Sequence, residues 1–112
     1  MQVPDKPLNL TKIEAATRQV EAAIDALGRG DFDIAITLAG AAEDMFDRPG
    51  LHLFAYLRDH PKVQHLDQKK EWVPALNLER NWLKHPNGPD RMLIGRYAAC
   101  TMIARAATKL ER

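Results

Sequence analysis

Residues 31–47 form one continuous stretch with the sequence DFDIAITLAGAAEDMFD. Its apolar residues recur at three- and four-residue steps, which is the spacing of one helix face; they are Ile34, Leu38, Ala41, Ala42, Met45 and Phe46. The small residues at 39–42 allow another backbone to approach closely. We therefore expect a central helix over about 32–47, capped by Asp31 and ended by Pro49-Gly50.

A second amphipathic helix precedes this one. Thr11 and Glu14 have the spacing of a capping box, in which the hydroxyl and the carboxylate each accept a backbone N–H. Gly28 and Gly30 end the helix, because glycine adopts the left-handed cap conformation without strain. The predicted buried face consists of Ile13, Ala16, Val20, Ala23, Ile24 and Leu27.

The second half of the chain predicts further helices. Residues 51–59 are a short apolar segment that we expect to be helical, and the polar residues 60–73 are expected to form a surface loop. Pro74 suits the first turn of a third main helix, which runs to about His85. Its predicted core face consists of Leu76, Leu83 and one of Leu78 and Trp82.

A last helix is expected over about 91–111, with Asp90 as its cap. A helix that is apolar on most sides is buried on most sides, so a second chain is a candidate cover for one side. No segment alternates with period two for long, and the prediction is an all-α protein, an antiparallel bundle of four or five helices. The apolar residues of the last helix are Met92, Ile94, Tyr97, Ala98, Cys100, Met102, Ile103, Ala104 and Ala107.

Composition limits the classes of function. The 112 residues are 46% hydrophobic and 28% charged, which is typical of one folded domain over 1–112, with 1–10 as an extended lead-in. The single cysteine, Cys100, predicts a reduced core thiol and neither a disulfide nor a thiolate zinc site. No uncharged stretch exceeds nine residues, whereas a spanning helix needs about 20. We expect no membrane segment and, without a secretory signal pattern, a cytoplasmic location.

Charge is divided unevenly along the chain. Residues 1–56 contain 5 Lys/Arg and 9 Asp/Glu, a net charge of −4, and residues 57–112 contain the other 11 and 6, a net charge of +5. A basic second half is compatible with a phosphate-bearing partner. The alternative is that both halves form solvated helix faces.

Common metal and nucleotide motifs are missing from the sequence. It contains no glycine-rich phosphate loop, no His-Glu-x-x-His and no Glu-x-x-His. His60 and His65 flank a loop, but nothing supplies the remaining ligands, and His52 and His85 lie elsewhere. We therefore predict no metal and no cofactor.

One cluster of polar residues ends the third predicted helix. It consists of Arg80, Asn81, Trp82, Lys84 and His85. Asn81 and His85 are four residues apart and share a helix face, and Arg80 and Lys84 share the neighbouring face. Arginine clamps phosphate oxygens, and histidine exchanges a proton near neutral pH, so these groups suit a phosphodiester. The alternative is structural, because the helix dipole favours basic residues at a helix C-terminus.

The pattern Arg80-Asn81-x-x-Lys84-His85, in an all-α context, resembles the signature of the HEPN superfamily, in which a histidine follows an arginine by four to six residues. Residues 38–43 are similar to the segment that precedes this motif in small bacterial members, and the resemblance covers roughly 11–108. It implies a helical bundle that usually forms a homodimer. In many members it also implies a metal-independent ribonuclease of toxin or defence type.

The resemblance also implies roles for the motif residues, in a composite site between two protomers. His85 would be the general acid or base, and Arg80 would stabilise the phosphorane. Asn81 would orient His85 or bind phosphate, and Lys84 would add to the positive electrostatic potential of the site. Trp82 is a candidate base-stacking platform, with packing against the core or the partner as the alternative.

Two other hypotheses stay open, so the sequence does not settle whether the protein is an enzyme. One is a non-catalytic HEPN-like module that binds a nucleotide or a protein, such as an antitoxin or a nucleotidyltransferase. The other is a purely structural dimerising bundle. Burial separates them: Arg80 and His85 hydrogen-bonded inside one protomer would argue against a site, and exposure of both in a groove between protomers would support one.

Overall fold

The computed structural model describes residues 2–45 and 77–110, and these residues form four helices without any strand. The all-α bundle is therefore confirmed, whereas the predicted helical segment at 51–59 and loop at 60–73 lie outside the described residues. Within the two described ranges, no helix is both long and apolar enough to cross a membrane. In chain order, the helices are α1 (Lys12–Gly28), α2 (Phe32–Asp44), α3 (Leu78–Lys84) and α4 (Arg96–Leu110).

Helix α1 begins and ends where the sequence predicts. Thr11 Oγ1 accepts the Glu14 N–H at 3.1 Å, and the Glu14 carboxylate accepts the Thr11 N–H at 2.8 Å, which completes the capping box. At the other end, Gly30 has a φ of +81°. Its N–H donates to the Leu27 carbonyl, and the N–H of Asp31 donates to the Ala26 carbonyl. This is a Schellman motif, in which glycine is favoured.

Helix α2 is the centre of the described structure, because α1, α3 and α4 all pack against it. The central position predicted from its small residues is therefore confirmed. Asp31 lies at the N-cap position, but its side chain caps nothing and instead accepts from Arg29 Nε at 3.1 Å. The buried residues of α2 are Ala35, Ile36, Ala39, Gly40, Ala42 and Glu43.

The predicted buried faces of α1 and α2 are partly wrong. Ile13, Ile24, Ile34 and Ala41 were expected in the core and are exposed. Most residues on the buried faces of the two helices are small instead, chiefly alanines. Ile36, which the predicted face of α2 omits, is buried at 1% exposure. In α1 the buried residues are Ala16, Val20, Ala23 and Ala26.

Helix α3 is shorter than predicted. It begins after Asn77 and ends before His85, and the first residues of the predicted helix, 74–76, lie outside the described residues. Leu83 packs against the core, as expected. Of the two alternatives for a further core contact, Trp82 is partly buried and Leu78 is exposed.

Helix α4 begins five residues later than predicted, and Asp90 does not cap it. The Ala99 N–H donates to the Gly95 carbonyl at 3.3 Å, so the first turn starts at Gly95. The physical reason lies in Met92 and Ile94, which both line one cavity beside Trp82. Residues two apart point about 200° apart on a helix, so only a non-helical chain can place both side chains in this cavity.

Helix α4 also exposes two residues that the sequence predicts to be buried. Tyr97 and Cys100 are exposed, so Cys100 is not the core thiol that we expected. The buried side consists of Ala99, Met102, Arg105 and Ala106. The fully buried residues therefore lie on one side of α4, and its exposed residues, Arg96, Tyr97 and Cys100, lie near its start.

Candidate functional site

Arg80 is held closely against α2. Its side chain is only 13% exposed. Nη2 donates to the Gly40 carbonyl at 3.4 Å and to the carboxylate of Asp44. A Cβ built on Gly40 would lie 2.8 Å from Arg80 Nε. Gly40 and Asp44, one helical turn apart, therefore form a seat for the guanidinium that requires a glycine.

Lys84 converges on the same carboxylate. Its Nζ lies 3.4 Å from Asp44 Oδ2, so Arg80 and Lys84 share one side of α3 as their spacing predicts. Asp44 is the last residue of α2, where the helix dipole also attracts cations. The two cations and one carboxylate carry a net charge of +1.

An open groove of about 360 Å³ lies between α2 and α3 beside these charges. Small and apolar residues form much of its surface, and charged groups stand at its edge. Its lining consists of Thr37, Gly40, Ala41, Asp44, Arg80, Leu83 and Lys84.

Asn81 and His85 face away from this groove. Both are exposed, and together with Leu78 they form the outward stripe of α3. His85 is the C-cap residue, and its backbone N–H donates to the Asn81 carbonyl at 3.0 Å. Its imidazole makes no hydrogen bond to any described residue.

One chain does not bring the arginine and the histidine of the motif together. Five helical positions separate Arg80 from His85 by about 140° around α3. Arg80 is satisfied within the protomer, and His85 is not. The burial criterion thus divides the motif into a partly buried, hydrogen-bonded cation and an exposed imidazole.

Trp82 contacts the loop that follows His85. Its indole N–H donates to the Pro89 carbonyl at 2.7 Å. Gly88 has a φ of +105°, and a Cβ built on it would lie 3.2 Å from Trp82 Cδ1. Trp82 therefore holds the chain just beyond the motif. Its use as a base-stacking platform stays a prediction.

Sequence reasoning missed the acidic residues that organise this end of α2. Asp44 binds the motif cations, and Glu43 is buried with Arg105 of α4. The Glu43 carbonyl also accepts from Lys109 Nζ at 3.3 Å. The available signal was a glycine inside a helix, which marks a close approach, followed by two consecutive acids at the helix end.

No set of three or more His, Cys, Asp or Glu side chains is gathered as a metal site within 2–45 and 77–110. His52, His60 and His65 lie outside these ranges. The predictions of no metal and no cofactor stay predictions.

No protein-family model, curated protein or solved structure matches the chain.

Proposed function

We propose that this protein is a metal-independent endoribonuclease of the HEPN type that acts as a homodimer. The supporting observation is that Arg80 is fixed by Gly40 and Asp44 while the neighbouring His85 imidazole is exposed and unbonded to described residues. Phosphodiester transfer needs a preorganised cation for the developing charge and a group that exchanges protons. A cytoplasmic location belongs to this proposal, because the substrate would be cellular RNA.

The proposed reaction uses the 2′-hydroxyl of the RNA as nucleophile. One His85 accepts the hydroxyl proton while the O2′–P bond forms. His85 of the partner subunit, protonated, gives a proton to the 5′ oxygen while the P–O5′ bond breaks. Arg80 stabilises the charge on the phosphorane, and Asn81 orients the imidazole or binds phosphate. The products are a 2′,3′-cyclic phosphate and a 5′-hydroxyl, and one proton is taken up for each proton released.

Two copies are required because one chain offers one imidazole at this helix end, whereas the reaction uses a base and an acid. The outward stripe of Leu78, Asn81 and His85 is the surface on which a second α3 would pack. Leu78 is 54% exposed and supplies an apolar contact for such an interface. A two-fold axis beside this stripe would place two imidazoles near one phosphate.

The test is cleavage of mixed RNA in EDTA by the native chain and by His85→Ala, with product ends mapped and the dimer measured by light scattering. We expect 2′,3′-cyclic phosphate ends, and a loss of at least about a hundredfold in His85→Ala, since general acid–base catalysis contributes that much or more. Asn87→Ala, an exposed polar residue in the following loop, is the control. Equal cleavage by His85→Ala, or none by a folded native dimer, would reject the proposal.

A second candidate is a non-catalytic module that binds a nucleotide, or a protein such as an antitoxin or a nucleotidyltransferase. The observation that favours it is the ion pair of Arg80 with Asp44, which already satisfies the guanidinium inside one chain. Binding of a nucleotide without cleavage would favour this module. If a stable dimer neither binds a nucleotide nor cleaves RNA, the hypothesis of a purely structural bundle would remain.

A further inference from the structure

Asp44 occupies the position on the motif cations that a phosphate oxygen would take. Arg80 Nη2 and Lys84 Nζ both donate to one oxygen, Asp44 Oδ2. Guanidinium and ammonium groups are the side chains that bind phosphate oxygens in the same way. An anion that approaches these two cations therefore meets a carboxylate already in place.

The Asp44 carboxylate is not the only group that holds Arg80. The guanidinium also bonds to the Gly40 carbonyl and lies over the Gly40 Cα, where no side chain intervenes. The Arg80 side chain is largely buried by this packing, whereas the Asp44 side chain is 49% exposed. Arg80 therefore has a second support on α2, while Asp44 is open to displacement by solvent or ligand.

We propose that Asp44 is an internal competitor for the anion site, whose carboxylate must leave Arg80 and Lys84 before a phosphodiester binds there. This inference rests on the proposed function for the identity of the ligand, but competition itself requires only anion binding. Asp44 then sets the affinity of the site and keeps the two cations from binding any polyanion. A ligand displaces the Asp44 carboxylate when it makes further contacts with the protein. The adjoining groove, lined by Ala41 and Leu83, offers a surface for these contacts.

The experiment compares Asp44→Asn with Asp31→Asn. The first keeps the shape and an acceptor oxygen but removes the charge. The second removes the same charge from another exposed Arg–Asp pair, that of Arg29 and Asp31. Both variants have the same net charge, so non-specific attraction is matched. The probes are inorganic pyrophosphate and a 2′-O-methyl RNA tetranucleotide, which cannot be cleaved, with affinities measured by titration calorimetry and NMR at physiological salt.

We expect Asp44→Asn to bind the RNA probe at least about fivefold more tightly than the native chain, because a unit charge about 4 Å from the ligand acts on it strongly. Asp31→Asn should change the affinity less than about twofold, because salt screens a distant exposed charge. Arg80→Gln in the Asp44→Asn background should remove the gain. Equal or weaker binding by Asp44→Asn, relative to Asp31→Asn, would overturn the inference and make Asp44 a support for Arg80.

Circular dichroism checks that each variant folds, and Asp44→Ser replaces Asp44→Asn if the latter does not. Failure of both to fold would mean that the structure needs the carboxylate, and would also overturn the inference. Cleavage of unmodified RNA separates this inference from the proposed function. If Asp44→Asn binds more tightly but no variant cleaves RNA, Asp44 is a competitor for the anion site and the protein is not a ribonuclease. If cleavage depends on His85 but Asp44→Asn binds no more tightly, the protein is a ribonuclease and Asp44 is not a competitor.

Discussion

Glu43 and Arg105 form a doubly hydrogen-bonded ion pair inside the protein. Arg105 Nε lies 2.9 Å from Glu43 Oε2, and Nη2 lies 2.8 Å from Oε1. Their side chains are only 4% and 2% exposed, respectively. The pair joins α2 to α4 at the end of α2 where Asp44 binds the motif helix, so this helix end contacts both α3 and α4 through ion pairs.

Removal of one partner of this buried pair should be strongly destabilising. Glu43→Leu leaves the Arg105 charge without its carboxylate, and we expect the free energy of unfolding to fall by about 3–5 kcal/mol. The double variant Glu43→Leu/Arg105→Met should recover most of this loss, because a well-packed apolar pair often replaces a buried ion pair. Urea denaturation measures both. A double variant no more stable than Glu43→Leu would show that lost packing, and not the loss of the Glu43 carboxylate, lowers the free energy of unfolding.

The capping box should give the first helix a measurable dependence on pH. The Thr11 backbone N–H, and then its hydroxyl, lower the pKa of Glu14 from its ordinary value of 4.5. A lowered pKa in the folded state means that the stabilisation is present above pH 4.5 and is lost as the pH falls through the folded-state pKa. Thr11→Ala keeps the backbone N–H and removes only the hydroxyl, so the pKa of Glu14 should rise part of the way toward 4.5, as measured by carbon NMR. An unchanged pKa would show that the hydroxyl does not contribute to the shift.

Gly40→Ala should separate stability from function. Alanine favours a helix interior by about 1 kcal/mol over glycine, but its Cβ would lie 2.8 Å from Arg80 Nε. Arg80 must therefore move, and we expect a melting temperature near that of the native chain with at least about tenfold weaker RNA binding or cleavage, the loss of one charge-assisted contact. Gly28→Ala is the control, because a Cβ there meets nothing within 4 Å. Native binding by Gly40→Ala would show that the seat tolerates a methyl group.

Gly88→Ala should loosen the loop that follows His85. Its φ of +105° is strained for alanine, and the added Cβ would lie 3.2 Å from Trp82 Cδ1. We expect the free energy of unfolding to fall by at least about 1 kcal/mol. The NMR resonance of the Trp82 indole N–H, which donates to the Pro89 carbonyl, should also shift. Gly95→Ala, with no positive φ and no atom within 4 Å, should leave that resonance in place. Matching spectra for the two variants would disprove the contact.

Leu78→Asp should weaken the proposed dimer without unfolding the protomer. Leu78 is 54% exposed, so a charge there costs little in the isolated chain but opposes the packing of two α3 helices. We expect a larger dimer dissociation constant by light scattering and a parallel loss of cleavage. Ile13→Asp is the matched control, because Ile13 is 53% exposed on α1. An intact dimer in Leu78→Asp would place the interface elsewhere.

Local signals predict the helices of this protein well. The capping box at Thr11 and the left-handed glycine at Gly30 each depend on a few neighbouring residues, and both occur as expected. The start of α4 differs from the prediction, because Ile94 packs against the hydrophobic core and Met92 is partly buried. Helical spacing alone contains no information on that contact.

The candidate site was predictable only in part. Motif spacing places Arg80 and Lys84 on one side of α3 and His85 on another, as the structure has them. Their acidic partner lies 36 positions before Arg80, and no local pattern connects Asp44 to it. Spacing alone likewise does not fix which side of α2 faces its neighbours, since Ile36 is buried and the predicted Ile34 is exposed.

The two acids at the end of α2 attach α4 and α3 to the described structure with different stability. Glu43 ties α4 into the interior, whereas Asp44 binds α3 at the surface, and no residue of the fully described α3 is buried. Seven residues do not sustain a helix in water by themselves. We therefore expect α3 to open as a separate cooperative unit, with its amides exchanging with solvent at a lower free energy than those of the other three helices. Among the described residues, the motif would then belong to the first part to unfold and the last to form.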